Sequence, residues 1–218
     1  IYKRYCLPFE MDVTHETSVA NVLEALTKKN INVDILINNA ARNPSVNEKG
    51  VQLSDRIESL SIENWYQDIH VGMTGAVICA KVFGTQMAKK GKGNIINVAS
   101  DLAVIAPDQR LYAHENLSSE KQPVKPISYS AVKHGLIGIT KYLSTYWPDR
   151  NVRCNSISPG GILNNQNESF INKICERIPM KRMARSDEYQ GAMIFLCSEA
   201  SSYMNGANLV IDGGRSVW

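Results

Sequence analysis

Short apolar runs alternate along this chain with longer segments of helical periodicity. Strands are predicted at residues 5–11, 33–38, 94–99, 152–158 and 207–212. Helices are predicted at residues 16–29, 61–89, 128–146, 167–177 and 186–198. Apolar strands that alternate with helices are typical of a parallel sheet covered by helices on both faces. The fold class is therefore α/β, with a doubly wound parallel sheet in three layers, α/β/α.

Composition limits the kind of protein this is. At 218 residues, 44% of them hydrophobic, we expect a single domain over residues 1–218 with its own core. The net charge of +3 and the lack of a basic stripe predict no nucleic-acid partner. No run of 18 apolar residues and no signal peptide occur, so no membrane partner is expected. The five cysteines lack metal-ligand spacing and predict no metal site, but buried thiols in a reducing cytoplasm.

Tyr129 and Lys133 are the most informative pair for function. Their spacing at the start of a predicted helix places both side chains on one face, one turn apart. An ammonium near a phenol favours the phenolate, so Lys133 is expected to lower the pKa of Tyr129 from its ordinary value of about 10. Such a tyrosine can exchange a proton with a hydroxyl near neutral pH. An ordinary amphipathic helix gives the same spacing, so the pair alone does not distinguish a catalytic role from a structural one.

Four further motifs flank this pair in a fixed order. They are Asn-Asn-Ala-Ala at 38–41, Gly-Asn-Ile-Ile-Asn-Val-Ala-Ser at 93–100, Cys-Asn-Ser-Ile-Ser-Pro-Gly-Gly at 154–161 and Asp-Gly-Gly at 212–214. In this order they resemble the short-chain dehydrogenase/reductase family, from about residue 7 to the C-terminus. The resemblance implies a Rossmann-type fold, NAD or NADP as cofactor, and interconversion of a secondary alcohol and a ketone.

The resemblance also implies catalytic roles for Ser100, Tyr129 and Lys133. Tyr129 would be the general acid and base, and Ser100 would hold the substrate oxygen. Lys133 would bind the nicotinamide ribose and lower the pKa of the tyrosine. Ser100 has an alternative interpretation as a turn residue that ends a strand.

A cofactor-binding set follows from the same resemblance: Asp12, Val13, Asn38, Ala40, Tyr129, Lys133, Pro159, Gly160, Ile162 and Asn164. Asp12 and Val13 would contact the adenine ring, although Asp is also a common residue at helix starts. Asn38 would steady the sheet beside the cofactor. The turn at 159–160 would cover the nicotinamide, and Ile162 would offer backbone groups to its carboxamide.

One expected motif is missing from the sequence. Rossmann-type folds carry a glycine-rich phosphate loop in their first strand-turn-helix, and no such loop occurs here. We therefore expect that an opening βαβ portion, roughly 30 residues or more, is absent from this chain. The alternative is a genuinely short chain with poor dinucleotide affinity. The choice between NAD and NADP depends on that same portion and stays open.

Two departures from the family pattern bear on the substrate. Gly72 stands where the family often has an Asn that organises a water and the Lys, which puts that proton relay in doubt. A polar insertion at about 101–127 separates Ser100 from Tyr129 and is expected over the pocket mouth. Its polarity favours a hydrophilic substrate, for which the candidate contacts are Arg42, Asp101, Gln109 and Arg110. The insertion and the helix that follows most resemble flagellin-modification dehydrogenases of nonulosonic sugar pathways.

The sequence thus predicts an oxidoreductase for a polar, sugar-derived substrate. Two alternatives remain: an acyl or steroid-type ketoreductase of the same family, and a catalytically silent dinucleotide-binding sensor or scaffold. The last strand, its Gly-Gly turn and the two long helices resemble family surfaces that build homotetramers or homodimers.

Overall fold

The computed structural model describes residues 6–42 and 56–218. Its centre is a parallel sheet with the strands β1 Ile35–Asn38, β2 Gly93–Val98, β3 Val152–Pro159 and β4 Asn208–Ile211. The strands lie in sequence order, β1-β2-β3-β4, and every neighbouring pair is parallel. The predicted α/β class with a parallel sheet is confirmed.

In the described part of the chain, five helices connect and cover these strands. They are α1 Glu16–Lys28, α2 Ile62–Lys90, α3 Ile127–Tyr146, α4 Glu168–Glu176 and α5 Gln190–Cys197. Helix α2 widens to π-helical geometry at His70–Thr74 and Ala80–Gly84. Within the insertion, three short 3-10 turns occur at Asp101–Ala103, Gln109–Tyr112 and Ser119–Lys121.

The helices bury both faces of the sheet. On one face, α1, α2 and α3 pack onto Leu36, Ile95 and Cys154, one residue from each of three neighbouring strands. On the other face, Leu196 of α5 packs onto Ile96 and Ile157. Because successive side chains of a strand point to opposite faces, the neighbours Ile95 and Ile96 serve different cores. This arrangement gives the predicted three layers.

Helix α2 shows how the sequence sets the ends of a helix. It starts after Ser61, whose hydroxyl accepts a hydrogen bond from the backbone N–H of Asn64 at 3.2 Å. It stops at Gly91, which adopts the left-handed conformation at φ 75°. Within the described ranges, α2 is the one helix long and apolar enough to cross a bilayer. Half of its apolar window is buried inside the protein, and Phe83 and Met87 lie in the core, so packing accounts for its composition.

The first predicted strand is wrong. Residues 6–11 have no strand conformation, and residue 5 lies outside the described ranges. A strand needs a hydrogen-bonded neighbour, and no described segment pairs with residues 6–11. The helix predicted at 186–198 begins only at Gln190, because residues 187–189 form a turn in which Glu188 is held by Arg182. The other predicted elements are confirmed to within one or two residues at each end.

Candidate active site

The candidate site lies where the parallel strands end. Asn38 ends β1 and Ala40 follows it, while Ser100 follows β2, Gly160 follows β3 and Asp212 follows β4. Because the carboxyl ends of parallel strands meet at one edge of the sheet, these residues line up along that edge. In open α/β sheets this edge is where ligands bind.

A crevice opens at this edge between four parts of the chain. Its walls come from the segment after β1, from α2, from the end of the insertion and from the first turns of α3. The lining residues are Ala41, Arg42, Asp68, Gly72, Lys125, Pro126, Ser128, Tyr129, Val132 and Lys133. Tyr129 and Lys133 therefore share one crevice, as their spacing predicted.

Two ammonium groups lie near the ring of Tyr129. The Nζ atom of Lys125 lies 3.6 Å from the centroid of the Tyr129 ring, and that of Lys133 lies 5.7 Å from it. Burial nevertheless raises the pKa of Tyr129, while its hydrogen bond with Ser100 acts in the opposite direction. The net pKa of Tyr129 in the unliganded chain is therefore raised rather than lowered, because removal of the phenolate from water outweighs the favourable groups. A lowering contribution from Lys133 stays a prediction.

Lys133 is held in the core of the site. Its Nζ donates a hydrogen bond to the carbonyl oxygen of Val98 at 2.9 Å, at the end of β2. Burial lowers the pKa of Lys133 to about 8, because an ammonium loses hydration inside the protein. An ammonium has three donors, so the contact with Val98 leaves N–H groups for hydroxyls of a ligand.

Behind Ser100 lies a buried ion pair that the sequence analysis missed. Arg215 donates to a carboxylate oxygen of Asp101 at 2.6 Å, and both side chains are at least nine-tenths buried. The other oxygen of Asp101 accepts from the Ser100 hydroxyl and from the backbone N–H of Leu102, each at 2.8 Å. Asp101 was predicted to contact substrate, and this is wrong because both of its oxygens are occupied inside the protein. The signal in the sequence was a lone Arg directly after the Asp-Gly-Gly turn.

Asn38 holds the sheet together beside the site. Its amide donates to the side chain of Asn97 at 2.8 Å, and Asn97 in turn donates to the hydroxyl of Thr140 in α3. This chain of bonds links β1, β2 and α3, as expected for a residue that steadies the sheet. Ala40 is exposed at the same edge.

The segment after β3 is fixed by side chains of its neighbours. Gly160 accepts a hydrogen bond from the Tyr189 hydroxyl at 3.0 Å, and a β-carbon on Gly160 would lie 2.9 Å from the Cα of Asp212. Only glycine allows this close approach of two chains. Gln166 donates to the carbonyl of Ile162 and accepts from the backbone N–H of Asn164, at 2.8 and 2.7 Å. These two hydrogen bonds fix the conformation of the loop that is predicted to face the nicotinamide.

Asp12 lies in the turn before α1 and is not its cap, since the N-cap residue of α1 is His15. Its carboxylate accepts hydrogen bonds from the backbone and the hydroxyl of Thr14, at 2.9 and 2.7 Å, in the turn before α1. Val13 packs against Gly75 of α2, where a β-carbon would lie 2.8 Å from its side chain. Contact of either residue with adenine stays a prediction.

Packing against α3 explains why position 72 is a glycine. A β-carbon at this position would lie 2.5 Å from Cγ1 of Val132, which faces it from α3. A side chain there would force Val132 to shift, so packing disfavours the Asn of the family pattern at this position. Asp68, one turn earlier in α2, accepts a hydrogen bond from Ser128 at 2.6 Å and also lines the crevice.

The remaining candidate substrate residues have different locations. Arg42 lines the crevice and pairs with Asp68 at 3.2 Å. Arg110 is 82% exposed and is bound through two hydrogen bonds by Asp108, outside the crevice walls. Its predicted contact with substrate is not supported, because its guanidinium already donates two hydrogen bonds to the carboxylate of Asp108. Gln109 instead binds the backbone of Lys125.

Comparisons with known proteins identify the family. A family profile described as enoyl-(acyl carrier protein) reductase matches residues 2–216. D-threitol dehydrogenase of Mycolicibacterium smegmatis is 31% identical over 214 residues, which cover 96% of this chain and 73% of that protein. The chain belongs to the short-chain dehydrogenase/reductase family. The predicted family is thus confirmed, whereas the flagellin-modification subgroup stays a prediction.

Solved structures of this family share the fold and contain cofactor. A short-chain dehydrogenase from Leptospira borgpetersenii with bound NAD+ is 31% identical, with a TM-score of 0.79 over 95% of this chain and 74% of that one. A gluconate 5-dehydrogenase from Burkholderia cenocepacia, in complex with NADP and tartrate, is 25% identical, with a TM-score of 0.78 over 95% and 74%. This short-chain dehydrogenase/reductase is an NAD(P)-dependent oxidoreductase with a Rossmann-like fold.

The site residues fit the nicotinamide end of such a cofactor. Lys133 has N–H groups beyond the one bound to Val98, and the Ser100 side chain acts on the phenol of Tyr129 by favouring its ionised form. These groups are of the kind that bind ribose hydroxyls and a reacting oxygen. The glycine-rich turn that binds a diphosphate does not occur in this sequence.

Proposed function

We propose that the chain interconverts a secondary alcohol and a ketone on a polar sugar or sugar derivative, with NAD or NADP. The observation that carries this proposal is that Tyr129 and Lys133 line one crevice, while the Ser100 side chain lies close enough to the phenol to favour its ionised form. A phenol, a hydroxyl and an ammonium at the carboxyl edge of a parallel sheet are the groups needed to move one proton on or off a carbonyl oxygen.

Each of the three residues has one task. In the reducing direction, Tyr129 donates its proton to the substrate oxygen, and Ser100 donates a hydrogen bond that holds this oxygen in place. Lys133 binds the ribose and stabilises the phenolate that Tyr129 leaves behind. When bound, the nicotinamide supplies or accepts the hydride at the substrate carbon. In the oxidising direction, Tyr129 takes the hydroxyl proton back.

The crevice walls support a polar substrate. Arg42, Asp68 and Lys125 line it beside the proposed catalytic residues, together with the hydroxyl of Ser128. A steroid or an acyl chain bound there would remove water from these charged groups and offer them no hydrogen bonds in return, which is unfavourable. One relative is named for D-threitol, and a solved structure of a gluconate 5-dehydrogenase contains tartrate. These names favour small polyhydroxylated compounds as substrates of this chain.

The proposal is tested by titrating the full chain with NADH and NADPH by fluorescence, with Tyr129→Phe alongside. Sugar acids, polyols, phosphosugars and nucleotide sugars are then screened for cofactor-dependent turnover. We expect one cofactor to bind equally well to both proteins and only the wild type to turn over. Binding without turnover of any compound supports the silent sensor or scaffold instead.

We propose more narrowly that the chain acts in flagellin modification. The support is the resemblance of the insertion at about 101–127 and of the helix after it to dehydrogenases of that group. Deletion of the gene, followed by mass spectrometry of flagellin peptides, is expected to change the mass of the attached glycan. An unchanged glycan argues against this pathway and leaves the enzyme activity standing.

An acyl ketoreductase is the alternative that one observation favours. A 3-oxoacyl-[acyl-carrier-protein] reductase of Thermotoga maritima is 28% identical over 215 residues, which cover 96% of this chain and 77% of that protein. Inclusion of an acetoacetyl thioester in the turnover screen decides between the two substrate classes. Turnover of the thioester alone would replace the sugar proposal.

We further propose a cytoplasmic homotetramer or homodimer. Two sets of exposed large apolar side chains support the assembly: Tyr66, Tyr142 and Tyr146 on α2 and α3, and Ile194, Tyr203 and Trp218 near the C-terminus. All five cysteines carry free thiols, as a reducing compartment would maintain. Light scattering after size exclusion of the full chain is expected to show a mass of two or four chains, and a monomer would reject the assembly.

A further inference from the structure

We propose that Asp101 and Arg215 form a positioning pair for Ser100, in which Asp101 accepts the one proton of the Ser100 hydroxyl and Arg215 weakens that hold. The hydroxyl can then turn from Asp101 to the substrate oxygen. This inference rests on the proposed function, because it concerns the serine that holds the substrate oxygen in that reaction. The support comes from the hydrogen bonds of the serine, the burial of the ion pair and the turn that holds Arg215.

The hydroxyl of Ser100 is bound on two sides inside the protein. Its oxygen accepts from the backbone N–H of Leu102 at 3.2 Å, and it lies 2.8 Å from a carboxylate oxygen of Asp101. A carboxylate has no proton to give, so the hydroxyl is the donor in this second contact. A serine hydroxyl has only one proton, and a bond from Ser100 to the substrate oxygen therefore requires that its bond to Asp101 opens.

The strength of that bond depends on the other oxygen of the carboxylate. This oxygen of Asp101 lies 2.6 Å from a guanidinium nitrogen of Arg215, and the two side chains are 4% and 8% exposed, respectively. A buried carboxylate without a counter-ion would hold the serine proton tightly, because hydrogen bonds to an ionised acceptor are the strong ones. The guanidinium draws negative charge toward its own oxygen, so the serine proton is easier to release.

The turn after β4 brings Arg215 to this position. The carboxylate of Asp212 accepts from the backbone N–H groups of Gly214 and Ser216, at 2.9 and 2.8 Å, which folds the chain back after β4. Gly213 and Gly214 adopt the left-handed conformation, at φ 68° and 87°, which favours glycine. The Asp-Gly-Gly motif thus has a task in the site, since it delivers a cation to the serine that follows β2.

The same pair acts on the neighbouring phenol. Besides burial, which raises the pKa of Tyr129 most, the charge of Asp101 raises this pKa and that of Arg215 lowers it. Loss of one partner would therefore leave the phenol beside an unbalanced charge. Measurements of reduction near pH 7 keep this second effect small, because a phenol whose pKa lies above its ordinary value of about 10 is protonated there.

The test combines substitutions at three positions of the full chain. Arg215→Met removes the guanidinium and leaves the carboxylate. The charge-free double variant, Asp101→Asn with Arg215→Met, removes both charges and keeps an oxygen for the serine. Both variants and the wild type are prepared with Ser100 intact and with Ser100→Ala. Arg185→Met, which removes an exposed arginine paired with Asp187, is the matched control.

Urea unfolding, followed by circular dichroism, measures the hold on the serine proton without any substrate. The loss in unfolding midpoint caused by Ser100→Ala should be larger in Arg215→Met than in the wild type, because the unpaired carboxylate binds the hydroxyl more strongly. The loss should be smallest in the charge-free double variant, where a neutral amide oxygen accepts the bond. If Arg215→Met alone does not fold, the wild type and the double variant still provide this second comparison.

Steady-state reduction near pH 7 measures the effect on the reaction, with a carbonyl compound that the turnover screen identifies. Arg215→Met should lower kcat by about tenfold or more and keep KM within about threefold, since the serine acts on the reacting oxygen. The charge-free double variant should recover kcat to within about threefold of the wild type, and Arg185→Met should leave it unchanged. In the Ser100→Ala chain, Arg215→Met should lower kcat further by less than about twofold, because its effect passes through the serine.

Three results overturn the inference. They are equal midpoint losses from Ser100→Ala in every folded background, an unchanged kcat in Arg215→Met, and a loss of kcat that persists in full in the Ser100→Ala chain or in the double variant. The last result would mean that Arg215 only stabilises the fold. Failure of the proposed function looks different, because the wild type then turns over no compound while the urea comparison still gives its answer.

Discussion

The guanidinium of Arg215 lies 2.6 Å from the carboxylate of Asp101, and both side chains are buried beside Ser100. The two residues come from opposite ends of the site, one after β2 and the other after β4. Their contact ties the last turn of the chain to the serine proposed to hold the substrate oxygen.

Removal of Arg215 leaves a buried carboxylate without its counter-ion. We expect Arg215→Gln to destabilise the protein by about 3–5 kcal/mol, the usual cost of breaking a buried ion pair. Urea unfolding followed by circular dichroism measures the change. Arg110→Gln, which breaks the exposed pair with Asp108, is the control and should leave the midpoint nearly unchanged. Equal effects of the two substitutions would contradict the importance of burial.

Asp101→Asn is expected to lower the pKa of Tyr129. The charge of Asp101 raises this pKa, and its carboxylate also competes for the Ser100 proton that a phenolate would otherwise receive. In the oxidising direction Tyr129 acts as a base, so the rising limb of kcat/KM against pH should move to lower pH. Asp108→Asn, farther along the insertion, should leave the limb in place. A limb that stays or moves upward in Asp101→Asn contradicts this account.

Tyr129→Phe removes the proposed proton donor and keeps the ring. Turnover should fall by about 10²- to 10⁴-fold or more, the usual contribution of general acid–base catalysis. Cofactor affinity should change little, because Lys133 and the backbone segments are intact. Steady-state rates and fluorescence titration measure the two effects. Tyr66→Phe, on the exposed face of α2, is the control that should behave as wild type.

The lowered pKa of Lys133 predicts how the free energy of unfolding changes with pH in the cofactor-free chain. Its pKa is about 8 in the folded protein, against an ordinary value of 10.5. Between these values the unfolded chain binds more protons than the folded one, so stability from this residue rises as pH increases from about 8 to 10.5. The shift corresponds to about 3 kcal/mol at most.

The comparison with Lys133→Met isolates this residue from other titrating groups. Burial raises the pKa of Cys79 to about 11 and of Tyr112 to about 12, which lowers stability at high pH in both proteins. The difference in unfolding free energy between wild type and Lys133→Met should therefore rise from pH 8 upward. A difference that is flat across this interval would show that Lys133 is hydrated.

Gly72→Ala tests the packing of α2 against α3. The added β-carbon would lie 2.5 Å from Val132, so we expect a loss of about 1–3 kcal/mol from overpacking. Val132→Ala in the same chain should recover part of this loss. Gly138→Ala, where a β-carbon in α3 meets nothing within 4 Å, is the control and should stabilise by about 0.5–1 kcal/mol. Thermal unfolding of the three variants measures the order.

The elements of the fold were predictable where local rules act. The Ser61 cap and Gly91 stop of α2 follow from backbone chemistry that depends on adjacent residues only. The continuous apolar runs of β2 and β3 predicted buried parallel strands, since both faces of these strands are covered. Residues 6–11 show the limit, because the same apolar composition forms no strand without a neighbouring strand to pair with.

The site was predictable only in part. Tyr129 and Lys133 share a helix face, so their spacing alone places them together. The contact between Asp101 and Arg215 joins residues 114 positions apart, and no periodicity reports it. Lys125 was likewise one lysine among several in the insertion until Gln109 was seen to hold its backbone.

The sequence by itself determined the α/β class, the order of the elements and the family, because these depend on local periodicity and on short motifs, and the same motifs predict Ser100, Tyr129 and Lys133 as the catalytic set. The tertiary structure decided which charges meet. It placed Asp101 against Arg215 and Lys125 over Tyr129, and it raised rather than lowered the pKa of Tyr129. The physical reason is that burial and the pairing of charges depend on distances across the fold, and these distances arise only when the sheet and its covering helices come together.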